Sequence, residues 1–329
     1  MRESRPAKLR DVARAAGVST ASASRALGAP HLVSPTLRAR ILAAAERLGY
    51  VPNLAARSLA TRRSGLVGVL AGSLDEPLTA GLAEVLDTEL RRAGYGIALA
   101  FVGRNAVETA ARIRGLLAQG SEGLIVLSEA ALSPDAVKTL EAHGVPCLIL
   151  GQADGNRSKD GMGLRAGAVL AGRYLLSLGH RRIGVLPAER SGIDAALREA
   201  LGTAAILLGA KPLGERRNDG MQDALADLLD RSDPVTAILC QSDSQAMAAL
   251  RACRAKGVAV PTQVSIVGFG DTDLAKHTWP SLTTVRVSLN DIGTCAVAAL
   301  LAMLGGEAAA AVEPAVKLVV RESTAAAPA

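Results

Sequence analysis

The stretch LRDVARAAGVSTASASRAL, residues 9–27, decides how this chain is read. Leu9, Val12, Ala13 and Ala16 recur at i, i+3, i+4 and i+7, which lays one apolar stripe along a first helix. Gly17 follows, and glycine takes a positive φ without steric cost, so the backbone can turn sharply there. Ser19 can cap a second helix, Thr20 to Leu27, whose inward residues are Ala23, Ala26 and Leu27. Ser34 then stands as N-cap and Pro35 as first residue of a third helix, through Leu37, Ile41, Ala45 and Leu48 to Gly49. Two short helices joined by a tight glycine turn and buttressed by a third predict a helix-turn-helix domain.

Beyond this head the pattern changes. Apolar runs at Leu66–Ala71, Gly96–Val102, Gly123–Leu127 and Val145–Leu150 alternate with helical segments at Leu78–Ala93, Val107–Gln119 and Pro134–His143. The repeat of about 30 residues has the size of a βαβ unit, and continuously apolar strands suit a parallel sheet covered on both faces. The alternation resumes with Val169–Leu178, Arg182–Leu186, Asp223–Leu229, Ala237–Cys240, Ser244–Lys256 and Val264–Phe269. So many units exceed one sheet and predict two doubly wound lobes, which take ligands outside the carboxyl ends of their strands. Between head and body, Asn53 to Ala60 spans about two helical turns, too short to persist alone in water. The expected division is therefore a head over 1–52, a hinge helix and linker over 53–64, and a body over 65–329.

Charge follows the same division. Residues 1–64 hold twelve Arg or Lys against three acids, a net of +9, whereas the remaining 25 bases and 28 acids give −3. A basic head on a mildly acidic body predicts that the head alone meets a polyanion. Aromatic residues make up only 2%, which argues against recognition by aromatic stacking platforms. The four cysteines, Cys147, Cys240, Cys253 and Cys295, are scattered among apolar neighbours without a CxxC pair, so they read as buried free thiols rather than metal ligands. No GxSxG, HExxH or Walker loop occurs. Gly161–Gly167 spells GxGxxxG, but the hydrophilic run 156–160 before it is no strand, so no dinucleotide cofactor and no enzyme is expected. The start of the chain is charged and no run reaches 18 apolar residues, which gives a cytoplasmic protein without membrane contact as the expectation.

The run at 9–19, with Ser24-Arg-Ala-Leu27 and LGYVPNLAARSLA at 48–60, resembles the head and hinge of the LacI/GalR family of transcriptional regulators. So do GRYLLSLGHRRIGVL (172–186), VSIVGF (264–269) and PSLTTV (280–285) in the body, while HLVSPTLR (31–38) is most like the gluconate-repressor branch. The resemblance implies an all-α helix-turn-helix head on a periplasmic-binding-protein-like α/β body of two doubly wound lobes. It also implies a homodimeric repressor of a palindromic double-stranded operator, responsive to a small effector such as a sugar or sugar acid, with no cofactor and no metal. Carried over by position, Thr20, Ala21 and Arg25 face base edges, Ser22 and Ser24 face phosphate, and Ser19 is counted among the DNA contacts. Tyr50, Asn53, Ala56, Arg57 and Leu59 complete the DNA contacts, with Leu59 as a minor-groove wedge and Ala55 and Ala56 small enough for two hinges to cross.

The body departs from the family pattern. An Asp-Asn pair is replaced by Met162-Gly163, the Asp usual after the strand ending at Phe269 is Gly270, and Ser242-Asp243 stands for Asn-Asp. Arg190, Asp243 and Asp271 remain as candidate effector contacts, the two acids equally readable as capping and turn residues.

Overall fold

In the head, α1 (Leu9–Ala15), α2 (Thr20–Gly28) and α3 (Pro35–Arg47) pack on one another. Val12, Ala13, Ala16, Ala23, Ala26, Ile41, Ala44 and Ala45 form their buried core. Six of these eight are alanines, so the helices close on each other with little side-chain thickness between them. Gly17 takes φ +62° and the next amide, of Val18, donates to the Ala13 carbonyl at 2.9 Å, closing α1. The Ser19 hydroxyl accepts from the Ser22 amide, and the Ser34 hydroxyl from that of Leu37 with Pro35 at the first helical position, as the caps predict. Gly49, at φ +57°, ends α3 as Gly17 ends α1. The computed structural model describes residues 7–28, 32–51, 63–103, 105–127, 132, 134–150, 161–186, 193–204, 206–209 and 225–328. The predicted hinge helix at 53–60 lies outside them.

The chain divides into two compact units, Met1–Gly65 and Leu66–Ala329. The second begins with β1 (Leu66–Ala71), α4 (Pro77–Arg92), β2 (Gly96–Phe101), α5 (Ala106–Ala118), β3 (Gly123–Val126), α6 (Pro134–His143) and β4 (Cys147–Ile149). These strands make a parallel sheet in the order β2-β1-β3-β4. There follow α7 (Leu164–Ser177), β5 (Arg182–Val185), α8 (Ile193–Leu201), β6 (Ile206–Gly209), β7 (Ala237–Leu239), α9 (Asp243–Ala255) and β8 (Ser265–Phe269). Next come β9 (Thr283–Val287), α10 (Leu289–Leu304) and β10 (Val316–Val319). The second sheet runs β10-β9-β8-β7-β5-β6 and is parallel except for β10. Both sheets reverse their strand order, between β1 and β3 and between β5 and β7, so each lobe carries the switch point at which such sheets take ligands. One apolar cluster, including Val67, Ile125, Ile183 and Val267, is continuous through both lobes. Among the described residues no helix is long and apolar enough to cross a membrane.

Three readings need correction. The segment that spells GxGxxxG is the start of α7, which begins at Leu164 rather than Val169. Gly167 is there for packing, since a Cβ would lie 2.6 Å from the Phe269 ring. Cys240 and Cys253 are buried free thiols, but Cys147 is half-buried and Cys295 is exposed on the outer face of α10. The elements α8, β6, β9, α10 and β10 were not anticipated. α10 buries Ile292, Gly293, Ala296, Val297, Ala299 and Leu300, packs on α4, β3 and β4 of the first lobe, and leaves Asn290, Asp291, Thr294, Cys295 and Ala298 exposed.

His180, fully buried, ties the turn after α7 to two distant segments: its ring nitrogens meet the Thr236 hydroxyl at 3.0 Å and the Ala325 carbonyl at 3.1 Å. Burial depresses its pKa below 6.5, although the Ala325 carbonyl favours the proton. The unfolded chain therefore binds the proton more readily, and stability falls as pH drops below about 6.5 until the lower folded value is reached. Urea unfolding between pH 7.5 and 5 should show this loss, and His180→Gln should flatten it.

Candidate nucleic-acid interface and effector cleft

On α2 the residues divide by direction. Thr20, Ala21, Ser24, Arg25 and Gly28 are exposed and fall within an arc of roughly 140° at the helical turn angle, while Ala23 and Ala26 point to the core. Ser22 sits at the edge of that arc, its hydroxyl 2.9 Å from that of Ser19. On α1 and α3, Arg10, Arg14, Arg38, Arg40 and Arg47 are all exposed, so this positive charge of the head is surface charge. Tyr50 packs on the head core. The structure thus brings Ser19, Thr20, Ala21, Ser22, Ser24 and Arg25 onto one small helix face. Asn53, Ala56, Arg57 and Leu59 lie outside the described residues.

At the strand ends of the second lobe, Asp243 opens α9 behind the N-cap Ser242 and is only 1% exposed. One carboxylate oxygen accepts from the Thr272 amide at 2.7 Å and the Thr272 hydroxyl at 2.9 Å; the other accepts from the Thr284 hydroxyl at 2.5 Å. The Thr284 oxygen in turn accepts from the Asp271 amide at 3.3 Å. Asp271, at φ +50°, is gripped by Arg321 on one oxygen and Arg286 on the other, both at 2.5 Å. Burial alone would raise its pKa, but hydrogen bonds and charge from Arg321 and Arg286 hold it below the usual carboxylate range. Both acids are thus engaged by this chain's own donors. Met162 is buried in the core, and Gly163, at φ +70°, caps α7 where a Cβ would fall 2.8 Å from Val316. Arg190 lies outside the described residues. Sequence reading missed Thr272, Thr284, Arg286 and Arg321 as the partners of the two acids; the adjacent polar pairs Asp271-Thr272 and Thr283-Thr284 were the available signal.

Comparison with known proteins puts this geometry in context. Residues 8–53 match the family model for bacterial regulatory proteins, lacI family, and residues 173–324 that for a periplasmic binding protein-like domain. HTH-type transcriptional regulator MalR of Streptomyces coelicolor is 34% identical over 98% of this chain and 97% of its own length. The chain belongs to the lacI family of regulatory proteins. GalR of Escherichia coli is 30% identical over 90% of this chain and 89% of its own. Among solved structures, the Lac repressor dimer bound to operator and the anti-inducer ONPF superposes with a TM-score of 0.81 at 27% identity. That likeness covers 98% of this chain and 100% of the other. A CelR–cellobiose complex superposes with a TM-score of 0.65 at 28% identity, covering 97% and 100%. This lacI-family chain is a DNA-binding transcriptional regulator, in a family of regulators rather than enzymes.

Asp243 should behave as a structural residue. Asp243→Ala leaves three donors without an acceptor in a buried site and should cost about 3 kcal/mol, read as a lower urea midpoint of the full-length protein.

Proposed function

We propose that this regulator is a cytoplasmic repressor that binds palindromic operator DNA as a homodimer and answers to a small effector in the cleft of its body. The observation that carries the proposal is the exposed face of α2 that includes Arg25, on a head whose charge is +9 through residue 64. A guanidinium bonds guanine O6 and N7 bidentately, and hydroxyls such as those of Ser19 and Ser24 suit phosphate. We assign the head to 1–52, the hinge to 53–64 and the body to 65–329, with Leu59 as the wedge that kinks the operator. Arg190, Asp243 and Asp271 were the candidate effector contacts; the internal bonding of the two acids favours their capping and turn roles.

One head of this size offers few base contacts, so a two-fold operator calls for two. Surfaces suited to a second copy exist on both lobes. Leu99 and Phe101 are 40% and 43% exposed on β2, an edge strand, and Trp279 and Leu274 are 88% and 55% exposed beyond β8. Apolar side chains along an open sheet edge are the feature that natural proteins otherwise blunt.

Two measurements test this reading. Selection from a randomised operator library should show that Arg25→Ala relaxes preference at one base pair per half-site, by roughly 1–3 kcal/mol; unchanged preference would remove Arg25 from base readout. In sedimentation velocity the Leu99→Glu, Phe101→Glu double variant should run as a monomer and bind operator weakly, whereas a persistent dimer would move the interface elsewhere.

A further inference from the structure

Three stretches of chain cross between the lobes. The first leaves β4 at Leu150 and enters α7 through Gly161, Met162 and Gly163. The second is Ser288 alone, between β9 and α10, and the third is 305–315, between α10 and β10. They meet at one place. A Cβ on Gly161 would stand 3.0 Å from Cδ2 of Leu150 and 3.7 Å from Cβ of Val312. A Cβ on Gly163 would stand 2.8 Å from Val316, 3.2 Å from Pro314 and 3.4 Å from Val287. Gly163 thus lies against the third crossover and against the residue that opens the second. Its φ of +70° by itself disfavours a side chain. Met162, between the two glycines, is buried with Leu150, Val287 and Val312 in the apolar cluster that runs through both lobes.

The two glycines lean on different lobes. Leu150 is tied to the first sheet, its amide donating to the Val126 carbonyl at 2.8 Å, whereas Val287 and Val316 pair with each other in the second. Close-packed groups resist separation, so displacement between the lobes is smallest at Met162 and grows with distance from it. The slack that α10 needs lies beside this point: residues 305–311 are all exposed, and Gly306 takes φ +83°. The same pair is where the sequence departs from its family pattern, with apolar Met162-Gly163 in place of Asp-Asn.

We propose that Met162-Gly163 is the pivot of the body, a dry joint that fastens all three crossovers together so that they respond as one unit when the lobes rotate. Hydrogen exchange of the full-length protein, read by mass spectrometry, tests the fastening. Gly163→Ala should speed exchange together in peptides covering 161–164, 286–289 and 312–317, and adding Val316→Ala should restore protection in all three. Faster exchange confined to the peptide that carries the substitution would overturn the proposal. A second, reversible variant does not depend on Gly163→Ala folding. With Gly161→Cys and Val312→Cys in a Cys295→Ser background, the 3.7 Å between Cβ positions matches the separation of about 3.5–4.5 Å in native disulfides. Oxidised glutathione should close this bond. Because the bond would sit at the pivot, operator affinity by fluorescence anisotropy should be the same before and after reduction. Failure of the bond to form, or a change in affinity of about fivefold or more that dithiothreitol reverses, would show that the crossovers move past each other there. Exchange and bond formation are read without DNA, so a chain that failed to bind operator would still report on the joint.

Discussion

The buried carboxylate of Asp243 is the interaction on which the strand ends of the second lobe depend. Removing an ion from water costs several kcal/mol even in relaxed protein interiors, and among the described residues no ion pair to Asp243 offsets it. Three hydrogen bonds do, from the amide and hydroxyl of Thr272 and the hydroxyl of Thr284. Those donors belong to the turn after β8 and to β9, so a single side chain at the start of α9 fixes three segments at once. Gly268 is part of the arrangement, since a Cβ there would fall 2.5 Å from the carboxylate oxygen. Through Thr284 the same network reaches the amide of Asp271 and supports its left-handed backbone. The acids that look available for a ligand in the sequence are spent on building the turn.

The head is held by a different economy. Its core is made of alanines with Val12 and Ile41 as its larger members, so little apolar area is removed from water. Such a unit relies on tight helix ends to limit the conformations it must give up: positive φ at Gly17 and Gly49 and serine caps at Ser19 and Ser34. Small size also leaves most of its arginines on the surface, where they act on a polyanion through long-range attraction and counterion release. Modest core and dense surface charge are two sides of one composition.

How far the sequence could be read depended on whether a residue's role is local. Ser34-Pro35, Gly17 and the apolar stripe from Leu9 to Ala16 act within one or two turns, and the structure has them as expected. Strand β1 was legible to the residue because Leu66–Ala71 is a continuous apolar run between polar flanks. What escaped is set by distant partners. α10 owes its buried side to the first lobe, far away in sequence, which packs on it. Strand β9 reads TTVRV, too polar for a core strand, yet Thr283 and Thr284 are buried because Ser323, Thr324 and Asp243 satisfy their hydroxyls and amides. Asp243 and Asp271 could be named as polar groups near strand ends, but not that Thr272, Arg286 and Arg321 already hold them.

The packing of α10 constrains how the two lobes can move against each other. α10 lies on α4, and a Cβ on Gly293 would come 2.4 Å from Val85 Cγ1, so the two helices meet with no spare volume. Leu289 also lies close over Gly81, at 2.8 Å from its would-be Cβ. Close-packed interiors shift between discrete arrangements rather than stretch, so α10 moves with α4 as part of the first lobe. Yet α10 is flanked in sequence by β9 and β10, which pair with each other in the second sheet. A rotation between lobes must therefore be taken up at Ser288 before the helix and in 305–315 after it. It must also change the contact that Leu78 of α4 makes with Gly270 of the second lobe. Lobe motion is thus felt along α4, which carries both that contact and the tight seat of α10.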